Sequence, residues 1–188
     1  MKKREGESIK IEIFEIKYTI LYYWKKGCEF MEIKIMSQED AQNWSQDQWM
    51  GVAVLVSITG SDTPPPSFYN NPRIIEKLSL SFDDVTVVED NQTLLSESQC
   101  GQIKEFVLEH AEYVEAIVIH CLAGVSRGAA IAFAVCRLLE LDDMWIWTSR
   151  CYRPNPYCVD KLNRILNLGL TESDIERRYQ LLTMEKVV

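Results

Sequence analysis

Long apolar runs are missing from this chain of 188 residues. No stretch approaches the roughly 20 residues a membrane span needs. The most apolar early segment, Tyr18 to Trp24, is short and flanked by Lys17, Lys25 and Lys26. No membrane association is therefore expected. A secretory leader is missing as well. Met1-Lys2-Lys3-Arg4 carries the right charge, but the IKIEIFEIK that follows is studded with charges and offers no small-residue cleavage site. A cytoplasmic location is expected, with the six cysteines (Cys28, Cys100, Cys121, Cys136, Cys151, Cys158) as thiols in a reducing compartment. Histidine is scarce. His110 and His120 are not at finger spacing and no C-x-x-C pair occurs, so no metal is expected. Basic charge is in the minority, 20 basic residues against 28 acidic ones for a net charge of -8. A protein held to nucleic acid by phosphate neutralisation is normally basic, so no nucleic-acid partner is expected. A local positive site for a phosphate group is still compatible with a negative surface.

What is present is an ordinary globular composition, 47% hydrophobic and 26% charged. The length suits one domain. Residues 1–30 stand apart, with seven basic and five acidic residues. They read as an N-terminal extension, an edge strand, an arm, or a dispensable upstream segment, with alternation over Ile9–Ile16 suggesting a strand. Residues 31–188 read as a single domain. Within it, Glu32–Met36 alternates like a strand, and Ser37 or a nearby polar residue is placed to cap a helix from Glu39 to about Trp49. Gly51–Ile58 is a continuous apolar run, as a buried strand shows. The Pro-rich stretch from Thr59 to Arg73 is loop. Ile74–Phe82 contains a further strand, placed at Lys77–Phe82, and an acidic loop reaches Leu95.

A helix begins at Ser96 or Ser98 and runs to about Tyr113. Ala116–Ile119 is a buried strand ending at His120, and Gly128–Leu141 is apolar almost all round, as a buried helix is. Shorter helices follow around Asp142–Thr148, Pro156–Leu168 and Thr171–Leu182. Strands alternating with helices predict an α/β fold, a mostly parallel central sheet flanked by helices.

The chemistry is concentrated in Ile117–Ala130, IVIHCLAGVSRGAA. A buried strand runs into Cys121, and Arg127 follows six positions later where the next helix starts. In an open α/β sheet, ligands bind beyond the carboxyl ends of the strands. The residues between can curl into a cup of inward N–H groups at a helix N-terminus, with Gly124 supplying backbone freedom. Such a cup suits a dianionic oxyanion, over which Arg127 closes bidentately. The same field favours a thiolate at Cys121. The lysine and hydroxyl of a nucleotide-binding P-loop are lacking.

His120-Cys121-Leu122-Ala123-Gly124-Val125-Ser126-Arg127 resembles the H-C-x5-R signature of cysteine-dependent protein tyrosine phosphatases. Its G-x-S-R ending is most similar to the dual-specificity branch and to small prokaryotic phosphatase-like proteins. Pro154-Asn155, with Leu162 seven positions beyond the asparagine, resembles the segment that opens a late helix in that branch, although Cys158 stands where an aromatic residue is usual. A strand at Leu78–Phe82 enters Asp83-Asp84, where the family places its general acid. The resemblance covers about residues 50–167 and implies a tyrosine-phosphatase-like fold with the signature loop between a buried strand and a buried helix.

It also implies a two-step reaction without metal or cofactor. Cys121 attacks the phosphoester, an aspartic acid protonates the leaving oxygen, and water then hydrolyses the phosphocysteine. Backbone N–H groups of Leu122, Ala123, Gly124, Val125, Ser126 and Arg127 bind the phosphate, together with the Arg127 guanidinium. His120 and Asn155 support the loop. Asp84 is the first choice for the acid, with Asp83 and Asp90 as alternatives. The expected substrate is a phosphorylated protein or a small phosphoester. One position departs from the family: Gly128 replaces the Ser or Thr that helps the thiolate leave, which implies a slower second step. The competing readings are a phosphate-binding pseudophosphatase and a cysteine enzyme of the rhodanese or arsenate reductase kind.

Overall fold

The computed structural model describes residues 22–25, 28–47, 51–87 and 90–184. The strand expected at Ile9–Ile16 lies outside them. Among the described residues five strands form one sheet: β1 (Tyr22–Lys25), β2 (Cys28–Ser37), β3 (Ala53–Thr59), β4 (Ile74–Ser81) and β5 (Ala116–Cys121). Their order is β1-β2-β5-β3-β4. Strands β2, β5, β3 and β4 run parallel, while β1 pairs antiparallel with β2 at one edge. The fold is thus α/β around a mostly parallel sheet. Strand β2 starts at Cys28 and so crosses the composition boundary at residue 31.

The helices among the described residues are α1 (Gln38–Trp44), α2 (Glu97–His110), α3 (Arg127–Leu138), α4 (Met144–Thr148), α5 (Pro156–Leu166) and α6 (Glu172–Met184). One face of the sheet carries the main core, in which Ile33, Ile35, Val54, Val56, Ile117 and Ile119 meet Ile103, Phe133 and Leu162 of the helices. The other face carries a smaller cluster, Met36, Leu55 and Val118 under Ala41 and Trp44 of α1, with Phe68 from the Pro-rich loop. Strand β5 is central and every one of its residues is buried. Among the described residues no helix is long and apolar enough to cross a membrane.

Local chemistry sets the boundaries. The Ser37 hydroxyl accepts from the Asp40 N–H at 3.1 Å and caps α1. That helix stops at Trp44 rather than near Trp49. Ser45 ends it, because its hydroxyl donates to Gln42 O at 2.6 Å and accepts from the Tyr69 N–H at 2.9 Å, tying the chain to the following loop. Of the two candidate serines, Ser96 starts α2 through a complete capping box with Gln99. Helix α3 ends at Leu138, three residues earlier than the apolar pattern suggests, where Glu140 adopts a left-handed φ of 57°. Strand β4 begins at Ile74, earlier than Lys77, since its pairing with β3 starts at Ala53.

Candidate active site

Strand β5 delivers Cys121 to the carboxyl end of the sheet, one residue further than the apolar run indicates, because Cys121 still pairs with Ser37 of β2. The loop that follows is packed directly on β2. Gly124 has φ of +69°, and a β-carbon there would lie 2.5 Å from the Met36 carbonyl carbon. Only glycine meets both demands.

The loop's carbonyls are turned outward. Leu122 O accepts from Gln38 N at 3.2 Å, Val125 O from Arg153 N at 2.9 Å, and Ser126 O from Ala130 N at 3.1 Å and Asn155 N at 3.3 Å. In a trans peptide the N–H points opposite to the carbonyl. The N–H groups of Ala123, Ser126 and Arg127 therefore face the other way, into the loop. The first turn of α3 adds its positive dipole end at the same place.

Arg127 opens α3 and is only 5% exposed. Its Nη1 donates to Phe82 O at 2.7 Å, which fixes the guanidinium against the end of β4. Its Nε is buried and has no hydrogen-bond partner among the described residues. Asp84 Oδ2 lies 3.8 Å from that Nε, too far for a hydrogen bond. A buried guanidinium donor left open beside a cleft is a place for an anionic acceptor. The cleft measures about 210 Å³ and is lined by Gln38, Thr59, Thr63, Asp83, Asp84, Leu122 and Arg127. Leu122 stands on it 67% exposed.

The two adjacent aspartates part company. Asp83 turns toward the 60–63 turn, where its carboxylate accepts from Ser61 N at 2.9 Å, Ser61 Oγ at 2.9 Å and Thr93 N at 2.8 Å. Those backbone N–H groups hold its carboxyl below the usual range. Asp84 turns to the signature loop, and its Oδ1 accepts from Ser126 Oγ at 2.6 Å and Asn155 Nδ2 at 2.7 Å. Its side chain is 40% exposed. Asp90 is exposed and is not among the residues lining the cleft.

His120 is fully buried under the loop, with Nε2 2.8 Å from Ser57 Oγ and its ring 5.2 Å from that of Phe68. Burial pushes its pKa down to about 4, so the ring is neutral near pH 7. Ser57, whose side chain supports His120 from the neighbouring strand, carries no signal of that role in the sequence. Asn155 caps α5 by accepting from Cys158 N at 3.0 Å while its amide reaches Asp84 and Val85 O. Arg150 and Arg153 line a separate cleft of about 180 Å³ with Trp147, Leu181 and Leu182. That cleft contains neither Arg127 nor the two aspartates. Of the thiols, Cys136 and Cys158 are buried, and burial pushes Cys158 up to about 12.

No protein-family model and no curated protein matches the sequence. Solved structures do share its fold. The human tyrosine phosphatase-like serine/threonine/tyrosine-interacting protein superposes with a TM-score of 0.55 at 19% identity, over 74% of this chain and 93% of that one. Human DUSP28 gives 0.53 at 17% identity, over 79% and 94%. A mouse putative dual specificity phosphatase complexed with zinc tungstate gives 0.51 at 15% identity, over 72% and 80%. The chain has the fold of the cysteine-dependent tyrosine and dual-specificity phosphatases, as the signature motif implies.

Proposed function

We propose that this protein is a cysteine-dependent phosphomonoester hydrolase of the tyrosine or dual-specificity type, acting on a phosphorylated protein or a small phosphoester. The observation that carries the reading is Arg127: a buried guanidinium whose Nε has no hydrogen-bond partner among the described residues, beside a loop whose Leu122, Val125 and Ser126 carbonyls are bonded on the outer side. Tungstate in the mouse neighbour is a tetrahedral oxyanion of the same shape as phosphate, which favours the same ligand class here.

In the first step Cys121 Sγ attacks phosphorus, the S–P bond forms, and the ester P–O bond breaks. Asp84 gives its proton to the leaving oxygen. In the second step Asp84 takes a proton from water, the water oxygen bonds to phosphorus, and the S–P bond breaks to restore the thiolate. The loop N–H groups and Arg127 stabilise the charge on the transferring group in both steps. Asp83 serves as a brace for the cleft wall, since its oxygens are occupied by Ser61 and Thr93. Cytoplasmic residence and action without metal or cofactor belong to the same reading.

A pseudophosphatase is the second reading, favoured by Gly128 beside Cys121. Stopped-flow kinetics with an aryl phosphate separate the two. Turnover that vanishes in Cys121→Ser and falls sharply in Asp84→Asn is expected. Phosphopeptide binding without any burst would support the binding module instead.

A further inference from the structure

Every residue of the segment that carries Asp84 is anchored. Phe82 N donates to Thr59 O at 3.1 Å and Phe82 O accepts from Arg127. Asp83 N donates to Thr93 O at 2.7 Å, and its carboxylate holds Ser61. Asp84 is held by Ser126 and Asn155, and Val85 O accepts from Asn155 Nδ2 at 3.0 Å. The segment is thus fixed before any substrate arrives.

The two bonds to Asp84 fall on one oxygen. Ser126 is the residue before α3, yet its hydroxyl does not cap that helix and donates to Asp84 Oδ1 instead. Asn155 is fully buried, and both amide N–H groups are used, one reaching Asp84 Oδ1 and the other Val85 O, while its oxygen takes the Cys158 N–H. A proton on Oδ1 would meet two donors, one of which, the amide, cannot accept it. Among the described residues, a proton on Oδ2 meets no donor within hydrogen-bond distance, and Oδ2 is the oxygen on the Arg127 side.

We infer that Ser126 and Asn155 are positioning residues for the general acid, occupying Oδ1 so that Asp84 carries and delivers its proton from Oδ2. The inference rests on the phosphatase reading of the cleft. Oδ2 then protonates the leaving oxygen as S–P forms and P–O breaks, and receives the water proton in the second step. Asn155 also ties the start of α5 to the acid, so the helix and the chemistry share one joint.

The test uses two aryl phosphates, phenyl phosphate with a poor leaving group and a fluorinated aryl ester whose phenol leaves without protonation. Ser126→Ala removes one donor. Asn155→Ser removes the other while keeping an oxygen for the α5 cap. Both variants are expected to lose roughly tenfold to a hundredfold in phosphorylation rate on phenyl phosphate, and far less on the activated ester. Ser126→Thr, which retains the hydroxyl, is expected to recover the rate. Equal losses on the two esters, or none, overturn the inference while leaving the phosphatase reading standing. Absence of a Cys121-dependent burst in the wild type overturns both.

Discussion

A β-carbon built on Gly128 would lie 3.5 Å from Cys121 Sγ and 3.4 Å from Ile35 Cγ2. These are ordinary van der Waals distances, so the first turn of α3 has room for a small side chain directly beside the sulfur. A hydroxyl there would donate to the departing thiolate and lower the barrier for hydrolysis of the phosphocysteine. Gly128→Ser is therefore expected to fold normally and raise steady-state turnover severalfold, up to about tenfold for one such donor. Pre-steady-state traces should show a wild-type burst that shrinks in the variant. Absence of a wild-type burst would mean that the second step is not limiting, and an unchanged burst with unchanged turnover would mean that a hydroxyl at position 128 does not speed it.

Asp83 and Asp84 are neighbours with opposite duties, and substitution separates them. Asp84→Asn is expected to cost roughly 10²–10⁴-fold in kcat on an unactivated ester, the ordinary worth of a general acid. Asp83→Asn turns one acceptor oxygen into an amide N–H facing Ser61 or Thr93 and, because these bonds are exposed to water, is expected to cost about 0.5–1.5 kcal/mol of stability. Urea unfolding and leaving-group dependence, measured on both variants, should cross over. A large loss of acid catalysis in Asp83→Asn would reverse the assignment.

His120 gives the protein an acid-sensitive fold. Its folded pKa of about 4 lies below the unfolded value of 6.5. The unfolded chain therefore binds the extra proton first as pH falls, and stability drops from about pH 6.5 toward pH 4. The loss between pH 7 and pH 5 is expected to be roughly 2 kcal/mol from this one group. Denaturant titrations at the two pH values check it, with His120→Gln expected to flatten the dependence.

Gly124 carries the tightest contact in the loop. Gly124→Ala sets a β-carbon against the Met36–Ser37 backbone at 2.5–2.6 Å and at a left-handed φ. Neither partner is a flexible side-chain end. The loop must shift, costing on the order of 1–3 kcal/mol. Tungstate affinity, followed by calorimetry, is expected to fall at least tenfold along with thermal stability.

The parts of the site that were legible in the sequence are those built from consecutive residues. Cys121, the loop glycine and Arg127 share one short segment, and the apolar runs that became β3, β5 and α3 bracket it. Ser37 was legible too, as one of the polar residues that sit before a helix where a cap is needed. What escaped depends on contacts between distant residues. Ser57 meets His120 across 63 positions, and nothing near either residue signals the other. Asp83 and Asp84 are alike in composition and differ only in their partners, Ser61 and Thr93 for one, Ser126 and Asn155 for the other. The early end of α1 likewise follows from Tyr69, 24 residues on, binding Ser45.

The most direct test of the central claim is a rapid-quench experiment with a labelled aryl phosphate, followed by peptide mapping. Phosphate is expected on the peptide that contains Cys121, accumulating to a larger fraction in wild type than in Gly128→Ser and absent in Cys121→Ser. Hydrolysis that proceeds in Cys121→Ser, or label that maps to any other residue, would contradict it.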